Sequence, residues 1–124
     1  MTENPLELAI NRTITNLENS LLKGEINSNT PDAALEAHVE LGAYISTCYG
    51  MIERLDTLEA QYFVNNRALQ KSDLAVKKTW KVSHEGVRQE FWSNRIKRLK
   101  VLSDTVLVLY YHARGDKKYN TVTN

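Results

Sequence analysis

No proline follows Pro31 in this chain, and from Leu41 onward apolar residues recur four and three apart: Leu41, Ile45, Cys48, Ile52, Leu55, Leu58 and Tyr62, with Leu69 seven further on. That spacing returns to one face of an α-helix at every turn. Nothing within it removes a backbone donor as proline would. The pattern predicts one long helix over 32–71, ending near Gln70 and roughly 60 Å long at 1.5 Å per residue. Such a helix exceeds what a compact globule of 124 residues needs. The expected class is therefore all-α: a long helical hairpin or small bundle, completed by oligomerisation.

Local signals bound the other elements. Asn4-Pro5-Leu6-Glu7 combines a capping side chain, proline at the first helical position and an acid in the first turn. A first helix over 1–24 follows, with Leu6, Ile10, Ile14, Leu17 and Leu21 on one face and Lys23-Gly24 as its stop. Residues 25–31 form a polar connector, and Thr30-Pro31-Asp32 repeats the start signal. Lys71-Ser72-Asp73 and Ser83-His84-Glu85-Gly86 delimit a joint over 72–86, because Ser and Asp favour caps over helix interiors. A short helix through Trp80 lies inside that joint, with Ser83 as an N-cap. The last helix, 87–114, carries a heptad-like seam of Trp92, Ile96, Leu99, Leu102, Val106, Leu109 and Tyr110, interrupted by Ser103 and stopped by Gly115. Val106 to Tyr111 is apolar on every side and must be covered, either by the chain's own helices or by another subunit, and in the second case this seam is the expected oligomerisation surface. The polar tail, 115–124, is expected to fray. Gly42, Ser46 and Gly50, four apart on the long helix, form a strip of small residues that would let another helix approach closely.

Chemistry-bearing signatures are missing. There is no Walker-type glycine loop, no dinucleotide G-x-G-x-x-G, no H-E-x-x-H and no G-x-S-x-G. His38, His84 and His112 are far apart and lack a cysteine pair, so no metal and no cofactor is expected. Cys48, the only cysteine, sits on the apolar stripe as a small hydrophobe and excludes an intramolecular disulfide. Glu36, Glu40, Glu53, Asp56 and Glu59 read as a solvated helix face, and Arg114-Gly115-Asp116 as a helix terminus. With no secretory or membrane-spanning segment, a cytoplasmic, non-enzymatic protein is the expectation. Hydrophobic residues at 42% and charged residues at 25% suit one folded domain.

The net charge of +1 conceals an asymmetry: residues 1–62 hold three basic side chains against ten acidic, and residues 63–124 thirteen against five. Between Arg67 and Lys100 ten basic residues face only three acids. An excess of this kind points to an anionic partner. Lys77-Lys78-Thr79-Trp80-Lys81 sets a ring among cations, the combination that neutralises phosphates while a base stacks. The candidate nucleic-acid contacts are Arg67, Lys71, Lys77, Lys78, Trp80, Lys81, Arg88, Arg95 and Arg98. Two other readings stand beside this one. In one, the cations are solvated helix faces paired to the acidic first half, with Trp80, Phe91 and Trp92 in the core; in the other, the cations meet the acidic half of a neighbouring subunit, which would build rings or stacks.

The long helix ending in Arg67 to Asp73, the lysine and tryptophan joint at Lys77 to Lys81, and the last amphipathic helix together resemble the UvsY-type recombination mediators of T-even phages, over about residues 36–114. The resemblance implies a non-enzymatic accessory protein that binds single-stranded DNA, assembles as a homo-oligomer and helps load a recombinase. Arg67 and Lys71 would take the place of that family's DNA-contacting residues, and the last helix that of its oligomerisation element. No basic cluster lies inside the long helix, where that family carries one. The alternative is a structural or adaptor protein, such as a phage particle component or an inhibitor of a host protein, using its charge asymmetry for protein contacts. Neither reading involves a membrane.

Overall fold

The computed structural model describes residues 4–115 and is all-α, with no strand among them. Helix α1 spans Pro5–Leu22, α2 Pro31–Asn66, α3 Asp73–Val82 and α4 His84–Arg114, with a 3-10 turn at Arg67–Leu69 after α2. Each boundary has a local cause. The Asn4 side chain accepts from Leu6 N–H at 2.8 Å. Gly24 ends α1 with φ at +74°, and the N–H of Glu25 returns to the carbonyl of Ser20. In the connector Asn27 Oδ1 accepts from Asn29 N–H, and the Thr30 hydroxyl accepts from Asn27 N–H. Gln70 takes an extended backbone, and the Ser72 side chain caps α3 at Ala75 N–H. Gly115 closes α4 at a φ of +68°. The tail from residue 116 lies outside the described residues.

The described residues form two compact units, one of residues 4–45 together with 98–115, the other Ser46–Lys97. Helices α2 and α4 each contribute to both. In the first unit Ile10, Ile14, Ala34, Ala37, Leu41, Leu99, Leu102 and Val106 form the core. Each pair of its helices is also tied by a polar contact. Thr13 donates to Glu40 at 3.1 Å, Arg98 pairs with Glu18 at 2.9 Å, and the buried Ser103 hydroxyl bonds His38 Nδ1 at 2.8 Å. Ser103 thus interrupts the apolar seam because it has a polar partner, as burial of a hydroxyl requires.

In the second unit Cys48, Val76, Trp80, Trp92 and Ile96 are buried. Burial pushes the Cys48 thiol up, with the Arg95 guanidinium pulling weakly the other way. Ser83 alone separates α3 from α4. Its N–H and hydroxyl both donate to the Trp80 carbonyl, at 2.9 and 2.5 Å, while its hydroxyl accepts from Gly86 N–H at 3.0 Å. One serine therefore ends one helix and caps the next.

Four expectations change. The long helix ends at Asn66 rather than near Gln70, because the chain tightens into the 3-10 turn Arg67–Leu69 and then extends at Gln70. The joint over 72–86 is almost entirely helix: α3 runs to Val82, and α4 starts at His84 rather than 87. The seam on α4 is not free for a second subunit, because Trp92, Ile96, Leu99, Leu102 and Val106 are buried by the chain's own helices, with Leu109 and Tyr110 half-buried. Nor does a helix approach the small-residue strip: a Cβ on Gly42 or Gly50 would meet nothing within 4 Å. Glycine there only weakens the helix, so Gly42→Ala and Gly50→Ala should each stabilise by about 0.5–1 kcal/mol. Thermal denaturation would read this as a rise of about 3 °C apiece. Unchanged or lower midpoints would show that the strip is packed against something. No helix among the described residues is long and apolar enough to cross a membrane.

Candidate nucleic-acid interface

Helix α3 is amphipathic over ten residues. Val76 and Trp80 point inward, while Leu74, Lys77, Lys78, Lys81 and Val82 are exposed. Those five positions follow the i, i+3, i+4, i+7, i+8 spacing of a single helix face. The inward face is held at its aromatic end. The Trp80 indole N–H donates to Gln89 Oε1 at 2.8 Å, and its ring meets Tyr62 at a centroid distance of 5.4 Å. The Tyr62 hydroxyl in turn donates to Thr79 at 2.9 Å. Gln89 spends its amide N–H groups on Asp56 and Glu59, at 2.7 and 2.9 Å, so one side chain links α2, α3 and α4.

The nine predicted contacts separate into groups. Trp80 is only 4% exposed, and the ring proposed to stack on a base is core; this corrects its place in the contact surface. Its apolar body packs while its N–H finds a part-buried acceptor in Gln89, the usual arrangement for an interior tryptophan. Arg67 is committed locally, with Nε on Asp73 at 2.6 Å and Nη1 on the Gln70 carbonyl at 3.1 Å, securing the turn between α2 and α3. Arg88 and Arg95 lie over the half-buried Phe91 ring at 5.1 and 4.5 Å from its centroid. Arg98 falls in the first unit, paired to Glu18. Of the nine, the structure places Lys77, Lys78 and Lys81 together on α3, with Lys71 exposed just before it.

These lysines have no ion-pair partner among the described residues. The only acid in α3, Asp73, is held by Arg67. Three exposed ammonium groups thus lie along one side of α3, whose single carboxylate, Asp73, one turn before Lys77, is taken by Arg67. Sequence reading missed the two aliphatic residues among them, Leu74 at 61% and Val82 at 80% exposed. They become legible only once the bounds of α3 are known, since they share the lysines' helical phase.

Behind Lys81 opens a groove of about 540 Å³, lined by Ile52, Asp56, Lys81, Gln89, Asn94 and Lys97 among others. It carries both signs of charge and contains neither a cysteine nor a histidine.

The sequence and fold were compared with protein-family models, with curated proteins and with solved structures, and no match was found in any of the three.

Proposed function

We propose that the chain is a non-enzymatic nucleic-acid-binding accessory protein whose contact surface is the lysine face of α3. One observation carries this reading: Lys77, Lys78 and Lys81 are exposed along one side of α3 with no ion pair among the described residues, its one acid being held by Arg67. Clustered ammonium groups repel one another, and a phosphate backbone relieves that repulsion while releasing its condensed counterions. With Trp80 inside the unit, contact is to phosphates rather than to base faces, so affinity depends on strand charge and little on base sequence. The recombination-mediator form of this reading adds a single DNA strand and a recombinase as partners.

Fluorescence anisotropy with labelled single-stranded and duplex oligonucleotides tests it. Three phosphate contacts give slopes of log K against log salt near −2 on a single strand and about −2.7 on duplex. Affinity should then fall about 20-fold and about 40-fold, respectively, between 50 and 200 mM salt. Lys77→Glu with Lys78→Glu should leave a slope no steeper than about −0.7. Binding that ignores salt, or that survives the charge reversal, would sink the proposal.

A second reading, a structural or adaptor protein that docks on a host protein or within a phage particle, is favoured by Leu74 and Val82. Phosphate binding has no use for two exposed aliphatic side chains, whereas a protein surface covers them. In that case no oligonucleotide binds at low salt, and the same charge reversal breaks capture of an acidic protein partner.

A further inference from the structure

The first unit carries a face opposite in sign to that of α3. On the N-terminal part of α2, Asp32, Leu35, Glu36, Val39 and Glu40 are all exposed, Leu35 by 39% and Val39 by 64%. Between Pro31 and Ile45 there is no lysine or arginine. Asp32 and Glu36 make no ion pair among the described residues, and Glu40 accepts a hydrogen bond from the neutral Thr13 hydroxyl. The α3 face sets three ammonium groups around Leu74 and Val82; the α2 face sets three carboxylates around Leu35 and Val39. The two match in charge and in apolar content over a similar length of helix.

We infer that these faces recognise one another between copies of the chain: the α3 face of one copy docks on the α2 face of the next, in competition with nucleic acid for the same lysines. The inference rests on the lysine face proposed above and names what regulates it. Each face alone leaves like charges adjacent and aliphatic side chains in water. Joined, the two relieve both at once. The contact is heterologous, pairing two different patches, so it does not saturate as a two-fold dimer and extends to a ring or a filament. Its ion pairs are solvent-exposed and screened by salt, hence individually weak. A polyanion of higher charge density displaces them. The carboxylate face therefore acts as an internal mimic of the phosphate backbone, and assembly and nucleic-acid binding exclude each other at Lys77, Lys78 and Lys81.

Charge reversal with rescue, read by sedimentation at low salt, tests the interface. The wild-type chain should show a weight-average mass that rises with concentration above the 14.2 kDa of a single copy. Lys77→Glu/Lys78→Glu and Asp32→Lys/Glu36→Lys should each remain monomeric. An equimolar mixture of the two should assemble again, as should one chain carrying all four changes. Recovery on mixing shows that both variants are folded, since exposed substitutions that merely unfolded the chain would not rescue each other. Adding a single-stranded oligonucleotide to the wild-type assembly should release oligonucleotide-bound monomers, while Lys77→Glu/Lys78→Glu alone should lose most of its affinity for the oligonucleotide. A wild type that stays monomeric, or a mixture that does not assemble, overturns the interface. Oligonucleotide bound to an assembly of undiminished mass overturns the competition. Rescue by mixing with no oligonucleotide bound by the wild type would support the interface and overturn the nucleic-acid reading alone.

Discussion

Gly86→Ala is expected to destabilise the chain by about 3 kcal/mol or more, although alanine is the better helix former by about 1 kcal/mol. Gly86 lies in the first turn of α4 and is buried. A Cβ there would stand 1.9 Å from the Trp80 carbonyl oxygen, 2.7 Å from its carbon and 3.1 Å from the Cα of Lys81. All three are backbone atoms, so no side chain can swing aside. The carbonyl is itself fixed by two donors from Ser83. Relief requires moving the last turn of α3 away from α4, which breaks the Ser83 caps and opens the packing around Trp80. Urea denaturation with near-ultraviolet circular dichroism would show a lower midpoint and weaker aromatic signal. A variant as stable as the parent would mean that α3 and α4 do not meet in this way. The same substitution at Gly42 should stabilise, because a Cβ there meets open space. The opposite signs come entirely from what stands beside each glycine.

Trp80→Ala should cost about 3–5 kcal/mol, the usual range for removing a buried large aromatic side chain. It empties the centre of the second unit, strips Tyr62 of its ring partner and leaves Gln89 Oε1 without its donor. Trp80→Phe keeps most of the packing and removes only the N–H, so about 1 kcal/mol is expected from chemical denaturation. Function separates the core role from a stacking role. Both tryptophans of the chain, Trp80 and Trp92, are buried. Saturating single-stranded DNA should therefore leave the tryptophan emission almost unquenched, with Trp80→Phe binding as tightly as the parent. Strong quenching on binding would place an indole against a base and return Trp80 to the contact surface.

Helix boundaries were legible because their causes are local. Asn4, Ser72 and Ser83 cap helices through donors two or three residues away. Gly24 and Gly115 end helices by taking a positive φ that other residues disfavour. The apolar period of α2 likewise announced a helix. The basic character of α3 was legible too, from composition alone.

What the period left open is which neighbour covers an apolar stripe. The α4 seam reads identically whether α1 and α2 fill it or a second subunit does; here the chain's own helices do, with Ser103 facing His38 across 65 residues of sequence. Partners of the cations were hidden for the same reason. Arg98 meets Glu18, 80 residues away, and Gln89 gathers Asp56, Glu59 and Trp80 from two other helices. Sequence by itself determined that this chain is helical, where its capped helix ends lie at Asn4, Gly24, Ser72, Ser83 and Gly115, and that its charge is unevenly spread, because these follow from composition or from interactions within one or two turns. Only the tertiary structure decided that Trp80 turns inward while Leu74 and Val82 turn out, and that three lysines of the basic segment share an unpaired face, because burial and ion pairing depend on residues that the chain brings together from far apart.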